Sequence, residues 1–321
     1  MLIAESLDFC PLALEQLRGA FDVQAADLLR DELLRTIGEC EYLWVRLRTM
    51  IDRPVFDAAP KLKAVLTNTT GLNHIDLDVA SERGVEVISL RGEVDFLKDI
   101  RATAEHTLTL ALALLRKIPA AHQHAISGKW SRDEFTGHEI YRRRVGIIGY
   151  GRLGRIVARY FATLGADVSI CDPICDGLDE VDQFPVFALE RILSDNSLIS
   201  LHANFHPANR NMLSRKQFEQ MARGSYFINT SRGELVDESA LADAIADGRL
   251  AGAAIDVRDN EHEPTSDYYR LLNLAATGFN LVITPHIGGN TCESRARTEL
   301  YLAEKLIAYL RPDATTPSIS R

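Results

Sequence analysis

Short apolar runs alternate with helix-period patterns along the whole chain. Residues 2–4, 42–45, 64–66 and 85–88 have the apolar, β-favouring character of strands. Between them lie helix-like stretches such as 26–37 and 76–83, the latter stopped by Gly84. Residues 101–118 are apolar on nearly every helical face until Pro119, which predicts a buried helix. The more polar stretch 120–144, with His122, His124, Gly128 and Gly137, predicts an irregular connection or arm. A second alternating series follows, with strands at 145–148, 167–171, 197–201, 225–228, 252–257 and 281–284. Its helices fall at 155–164, 189–193, 215–221 and 238–246. Asp237 can cap the last of these and Gly248 can end it. A final amphipathic helix spans 292–310, with Thr291 as cap and Pro312 beyond it. Such alternation predicts an α/β protein built from parallel βαβ units.

The length of 321 residues suggests two domains, at about 150 residues each. The formal charge of −9 argues against nucleic acid or an anionic membrane as the main partner, without excluding a local basic pocket. The start, Met1-Leu2-Ile3-Ala4-Glu5, has no basic segment before its apolar residues, so no signal peptide is expected. No apolar stretch approaches the roughly 20 residues a membrane span needs. Five irregularly spaced cysteines suit reduced thiols in the cytoplasm.

Gly149-Tyr150-Gly151-Arg152-Leu153-Gly154 sits between a predicted strand and a predicted helix. Gly149 permits the tight turn, Gly151 lets backbone approach a pyrophosphate, and Gly154 lets the helix pack on the strand. The helix N-terminus offers free N–H groups to phosphate, and Arg152 can add charge. Asp172, at the end of the next strand and 18 residues after Gly154, is placed to hold ribose hydroxyls and repel a 2′-phosphate. The expected cofactor is therefore NAD rather than NADP. His202 and His206 are four apart, but no third ligand stands at a suitable spacing, so no metal site is expected.

Three further groups fall at predicted strand ends, where open α/β sheets bind ligands. Arg232 follows the strand 225–228, Asp256 closes 252–257 with Glu263-Pro264 in the loop after it, and His286 follows 281–284. Arg232 can hold a carboxylate through two parallel N–H bonds. An imidazole passes protons near neutral pH, which suits His286 to serve a hydroxyl or carbonyl oxygen. A carboxylate beside that ring would favour its charged form and fix its orientation. Together with hydride transfer, these groups would interconvert a 2-hydroxy acid and a 2-oxo acid.

Ala104-Glu105-His106, the run 145–154, the run 228–237 around Arg232, Gly252-Ala253-Ala254-Ile255-Asp256-Val257 and the run 283–289 around His286 resemble the D-isomer-specific 2-hydroxyacid dehydrogenases. This family includes D-3-phosphoglycerate dehydrogenase and glyoxylate/hydroxypyruvate reductase. The resemblance implies two Rossmann-like, doubly wound parallel-sheet domains, one inserted in the other. An NAD-binding domain of 101–288 would interrupt a substrate domain of 1–100 plus 289–321, with hinge closure between them. It implies that Arg232 binds substrate, that Glu263 supports His286, and that Asp256 lies near the nicotinamide. It also implies a homodimer acting on a small 2-hydroxy or 2-oxo acid. The stretch after Asp256-Val257 is about two residues longer than the family pattern, which leaves Glu261 as a rival. Glu263 is preferred because it precedes Pro264 and lies 23 residues before His286. Thr69-Thr70-Gly71 resembles the family's loop for the substrate carboxylate. Arg46 and Arg48, after the strand 42–45, would suit a second anionic group such as phosphate. The alternative from another class is an NAD(H)-sensing regulatory protein on the same scaffold.

Overall fold

The computed structural model describes residues 1–310. Contacts divide the chain into two units, Met1–Ile100 with the segment from Thr291 onward, and Arg101–Asn290.

The first unit holds a five-stranded sheet of β1 (Leu2–Ile3), β2 (Gln24–Ala25), β3 (Tyr42–Val45), β4 (Ala64–Thr67) and β5 (Glu86–Ser89). All neighbours are parallel, in the order β2-β1-β3-β4-β5. Both faces are covered, which is why β3 and β4 are apolar at successive positions rather than alternate ones. Leu43, Val45 and Val65 join Leu33, Val55 and Val79 in one cluster. Tyr42, Trp44 and Leu66 face the other way, onto Ala13 and Leu17 of the helix Pro11–Ala20 and onto Leu302, Ala303 and Leu306 of the helix Cys292–Tyr309. Thr291 caps that last helix by accepting from the Ser294 amide. Pro312 lies outside the described residues.

The second unit holds β6 (Arg144–Ile148), β7 (Asp167–Cys171), a small antiparallel hairpin of β8 (Glu180–Val181) and β9 (Phe184–Pro185), then β10 (Leu198–Leu201), β11 (Ser225–Asn229), β12 (Leu250–Ile255) and β13 (Leu281–Ile283). Six strands form one parallel sheet in the order β13-β12-β11-β10-β6-β7. The order reverses between β6 and β10, and such a switch point opens a crevice at the carboxyl ends of the two strands. Apolar clusters pack on both faces of the sheet.

Four segments depart from the expectation. The stretch 120–144 is not wholly irregular, because Ile118–Ile126 is a helix with Pro119 in its first turn, where a missing N–H costs nothing. Lys117, at φ +51°, breaks the chain away from the preceding helix, which spans only Ala102–Leu115. That helix is not buried all round: Ala104, Thr107, Leu110 and Leu114 face the core while Leu112 is 42% exposed. The helices Pro11–Ala20 and Ser266–Ala276 give little apolar signal, the first burying only Ala13 and Leu17 and the second only Leu271.

Candidate active site

The turn after β6 lies at the switch point. Gly149 has φ +89°, and a Cβ there would overlap the backbone of His202 and Ala203 at the end of β10. A Cβ on Gly154 would overlap the Gly149 carbonyl oxygen, so the helix Arg152–Thr163 starts directly against the turn. Gly151 is different: nothing lies within 4 Å of its Cβ position. The first and last glycines are thus demanded by the protein's own packing, and the middle one leaves open space over the helix N-terminus. Replacing Gly154 by alanine is expected to push helix and turn apart, seen as a lower thermal midpoint together with weaker NADH binding.

Asp172 accepts from the Tyr150 amide at 2.7 Å and from the Ile174 amide at 2.9 Å, one bond to each oxygen. Each carboxylate oxygen keeps a lone pair for another donor, and the group is fixed at the end of β7. Burial holds the Arg152 guanidinium below its ordinary pKa, and the charge of Arg101 adds to this. The Leu153 side chain is partly buried against the hydrophobic core.

β11 delivers Arg232 through a turn braced by Asn229. The Asn229 side chain accepts from the Ser231 amide at 2.9 Å and donates to the Arg232 carbonyl at 2.9 Å. The Arg232 guanidinium donates to the Ser231 carbonyl at 2.6 Å. Among the described residues no carboxylate is in an ion pair with it. Burial lowers its pKa, against the opposing charges of Glu234 and Glu261. A Cβ on Gly233 would overlap the backbone of Arg258 and Asp259, so the loop after β12 lies directly against the Arg232 turn.

His286 follows β13 with φ +53°, a left-handed conformation that costs a non-glycine residue energy. Asp256 holds it there. The Asp256 carbonyl accepts from the His286 amide at 2.7 Å, and its carboxylate accepts from Thr284 Oγ1 at 2.6 Å and from the Ile287 and Gly288 amides at 2.9 and 2.8 Å. His106 Nε2 is 3.2 Å from the same carboxylate. Burial pushes the Asp256 carboxyl up, but His106, Thr284 and the two amides outweigh it and leave the pKa below the ordinary value. Asp256 is 2% exposed, and its carboxylate oxygens are taken up in shaping the His286 loop.

The carboxylate on His286 is Glu261, not Glu263. His286 Nδ1 lies 2.7 Å from Glu261 Oε2. Asn260, at φ +48°, turns the chain so that Glu261 points inward, while Glu263 is exposed and uses only its amide, toward Asn260. That turn, which spacing along the chain does not reveal, decides which acid meets His286. With Nδ1 engaged, His286 Nε2 is left for proton transfer.

In the first unit, Arg46 is engaged by groups of the protein itself. Its guanidinium is bound to the fully buried Glu299, at 2.6 Å from Nη2 and 3.1 Å from Nε. Arg48 is paired with Asp27 at 2.9 Å. Both arginines are thus committed to carboxylates, and neither presents an unmatched charge. Thr70 is exposed, and the Gly71 carbonyl accepts from Thr69 Oγ1 at 2.7 Å. His202 is buried against Ser200 Oγ at 2.8 Å, and burial pushes it down to about 4, so it is neutral. No group of three or more metal-ligating side chains occurs among the described residues.

Residues 108–288 match the family model of the D-isomer specific 2-hydroxyacid dehydrogenase NAD binding domain. The chain is 34% identical over 312 residues to the D-3-phosphoglycerate dehydrogenase of Escherichia coli (strain K12), covering 96% of this chain and 74% of that protein. It is 35% identical over 278 residues to the D-3-phosphoglycerate dehydrogenase of Mycobacterium tuberculosis (strain ATCC 25618 / H37Rv), covering 86% of this chain and 50% of that one. The chain thus spans about half the length of the mycobacterial relatives it matches. Among solved structures, the TT0316 protein from Thermus thermophilus superposes with a TM-score of 0.81 at 31% identity, covering 97% of this chain and 96% of that one. The chain belongs to the D-isomer specific 2-hydroxyacid dehydrogenase family, and its residues 108–288 are an NAD-binding domain of that family.

Proposed function

We propose that the protein is an NAD-dependent oxidoreductase that interconverts a D-2-hydroxy acid and the corresponding 2-oxo acid. The observation that carries this reading is a guanidinium, Arg232, with no ion-pair partner among the described residues, in the same domain as a His–carboxylate pair, His286–Glu261. Gly151 leaves room for a pyrophosphate at the helix N-terminus, and Asp172 suits the adenosine ribose. When bound, NAD(H) supplies or accepts the hydride. Arg232 binds the substrate carboxylate in a bidentate fashion and polarises the neighbouring carbonyl. His286 Nε2 gives a proton to the carbonyl oxygen in reduction and takes it back in oxidation. Glu261 fixes the tautomer and stabilises the charged imidazole.

In this reading the backbone around Thr70 and Gly71 serves the substrate. The exposed apolar side chains Leu112, Ile118, Ile126 and Trp130 support a homodimer, and the five free cysteines suit the cytoplasm. The names of the relatives favour a phosphorylated substrate; the pairing of Arg46 and Arg48 with carboxylates weighs against it and favours a small unphosphorylated acid.

The test is NADH oxidation over glyoxylate, hydroxypyruvate, phosphohydroxypyruvate, 2-oxoglutarate and branched 2-oxo acids, repeated with NADPH. Turnover with at least one acid, lost in Arg232→Ala and at least tenfold better with NADH, is the expected result. NADH binding without turnover on the whole panel overturns it in favour of an NAD(H)-sensing protein. Comparable efficiency with NADPH overturns the role of Asp172.

A further inference from the structure

The loop that carries Glu261 is long, polar and largely exposed, yet it must hold one carboxylate on one ring nitrogen. A buried acid outside the site ties it down. Glu238 opens the helix Glu238–Ala246 and is only 7% exposed. Its Oε1 accepts from the Asp259 amide at 2.9 Å and its Oε2 from Thr265 Oγ1 at 3.2 Å. Those partners stand on either side of Glu261, two residues before it and four after. Thr265 Oγ1 in turn accepts from the Tyr268 amide at 3.1 Å, fixing the start of the helix Ser266–Ala276. Inside the loop, the Arg258 guanidinium donates to the Glu261 carbonyl at 2.5 Å and lies over the Tyr268 ring, 4.5 Å from its centre. Asp259 is also ion-paired with Arg210.

We propose that Glu238 is a positioning residue that clamps both ends of the loop 259–265 and thereby holds Glu261 on His286 Nδ1. This rests on the reading of His286 and Glu261 as the proton-transfer pair. A buried carboxylate is costly unless its lone pairs are met. Here the donors that meet them are the ends of one loop, so the same bonds that make Glu238 tolerable set the loop's span. The clamp acts through geometry alone, since a displacement of about 1 Å in a reacting group can cost on the order of 100-fold in rate. Glutamine can keep the arrangement, with its oxygen accepting from Asp259 and its amide nitrogen donating to Thr265 Oγ1. Alanine releases both ends.

The experiment uses the full chain and two readouts. In the first, kcat is measured on the best 2-oxo acid for Glu238→Ala, Glu261→Ala and the double variant. Glu238→Ala is expected to lower kcat roughly 10- to 100-fold, Glu238→Gln to restore most of it, and the double variant to be no slower than Glu261→Ala alone. In the second, the hydrogen-bonded Nδ1–H proton of His286 is followed by NMR and assigned by its absence in His286→Ala. It should be lost in Glu238→Ala and return in Glu238→Gln. Should Glu238→Ala not fold, Thr265→Val removes one tie and should weaken both signals in the same direction. Multiplied losses in the double variant, or an unchanged His286 signal in Glu238→Ala, overturn the proposal. Because the NMR signal needs no turnover, loss of the clamp and failure of the enzymatic reading are told apart.

Discussion

His286→Ala will lower kcat by roughly 100- to 10,000-fold, the usual contribution of a positioned acid–base group, while NADH still binds. The ring is held in place through both its backbone and its side chain. Its backbone is held in a left-handed conformation by the Asp256 carbonyl and by a carboxylate that gathers Thr284 and two amides. Its Nδ1 is committed to Glu261 at 2.7 Å, which orients Nε2 as the exchanging nitrogen. Alanine removes the proton carrier and leaves the turn after β6 untouched, so cofactor affinity and turnover should separate. The neighbouring acids sharpen the test. Glu261→Ala should also lose much of the rate, whereas Glu263→Ala, an exposed side chain turned away from the ring, should keep it. Steady-state kinetics and NADH fluorescence titration check all three. A fully active Glu261→Ala beside an inactive Glu263→Ala would refute the pairing.

Arg46→Ala will destabilise the protein by about 3 kcal/mol without selectively weakening phosphorylated substrates. Glu299 is fully buried and accepts from three donors: two from Arg46 and the Cys10 amide at 2.7 Å. Removing the guanidinium takes two donors from a buried carboxylate and leaves it, beside the Cys10 amide, only the more distant Arg295, whose Nε is 3.9 Å away, which costs several kcal/mol. The lower end of the range applies because the Arg46 side chain is 18% exposed and water can partly replace it. Urea titration should show the loss, and Arg46→Met combined with Glu299→Leu should recover part of it, because no carboxylate is then buried without its partner, while Arg295 loses its ion pair with Glu299. A normal urea midpoint with a raised KM only for phosphorylated 2-oxo acids would return Arg46 to the substrate site.

Much of the second unit is legible in the sequence because its signals are local. β7 and the helix Glu238–Ala246 have the bounds that pattern and capping predict, and Asp237 caps the latter by accepting from the Ala240 amide. The glycine turn is legible for the same reason, since strand, turn and helix are contiguous. What stays hidden depends on distant or three-dimensional partners. Arg46 looks like a cleft residue until Glu299, 253 positions away, is seen beside it. Glu263 looks like the His286 partner because it precedes a proline, and only the left-handed Asn260 shows that the loop turns one acid in and the other out. The helix Ile118–Ile126 is masked by Pro119, which reads as a stop but serves as a start. Glu238 carries no signal in one sequence, since an acid in the first turn of a helix is ordinary.

The C-terminal helix has a consequence for the order in which the chain is made. The second unit is continuous in sequence, so every strand of its sheet is available once residue 283 has been synthesised. The first unit begins sooner and finishes later. Its outer cluster of Ile3, Leu17 and Trp44 stays uncovered until Leu302 and Leu306 arrive, and Arg46 waits equally long for Glu299. During translation the first unit, begun before the second, is therefore sealed after it, and it carries an unfinished apolar face until the helix Cys292–Tyr309 has been made.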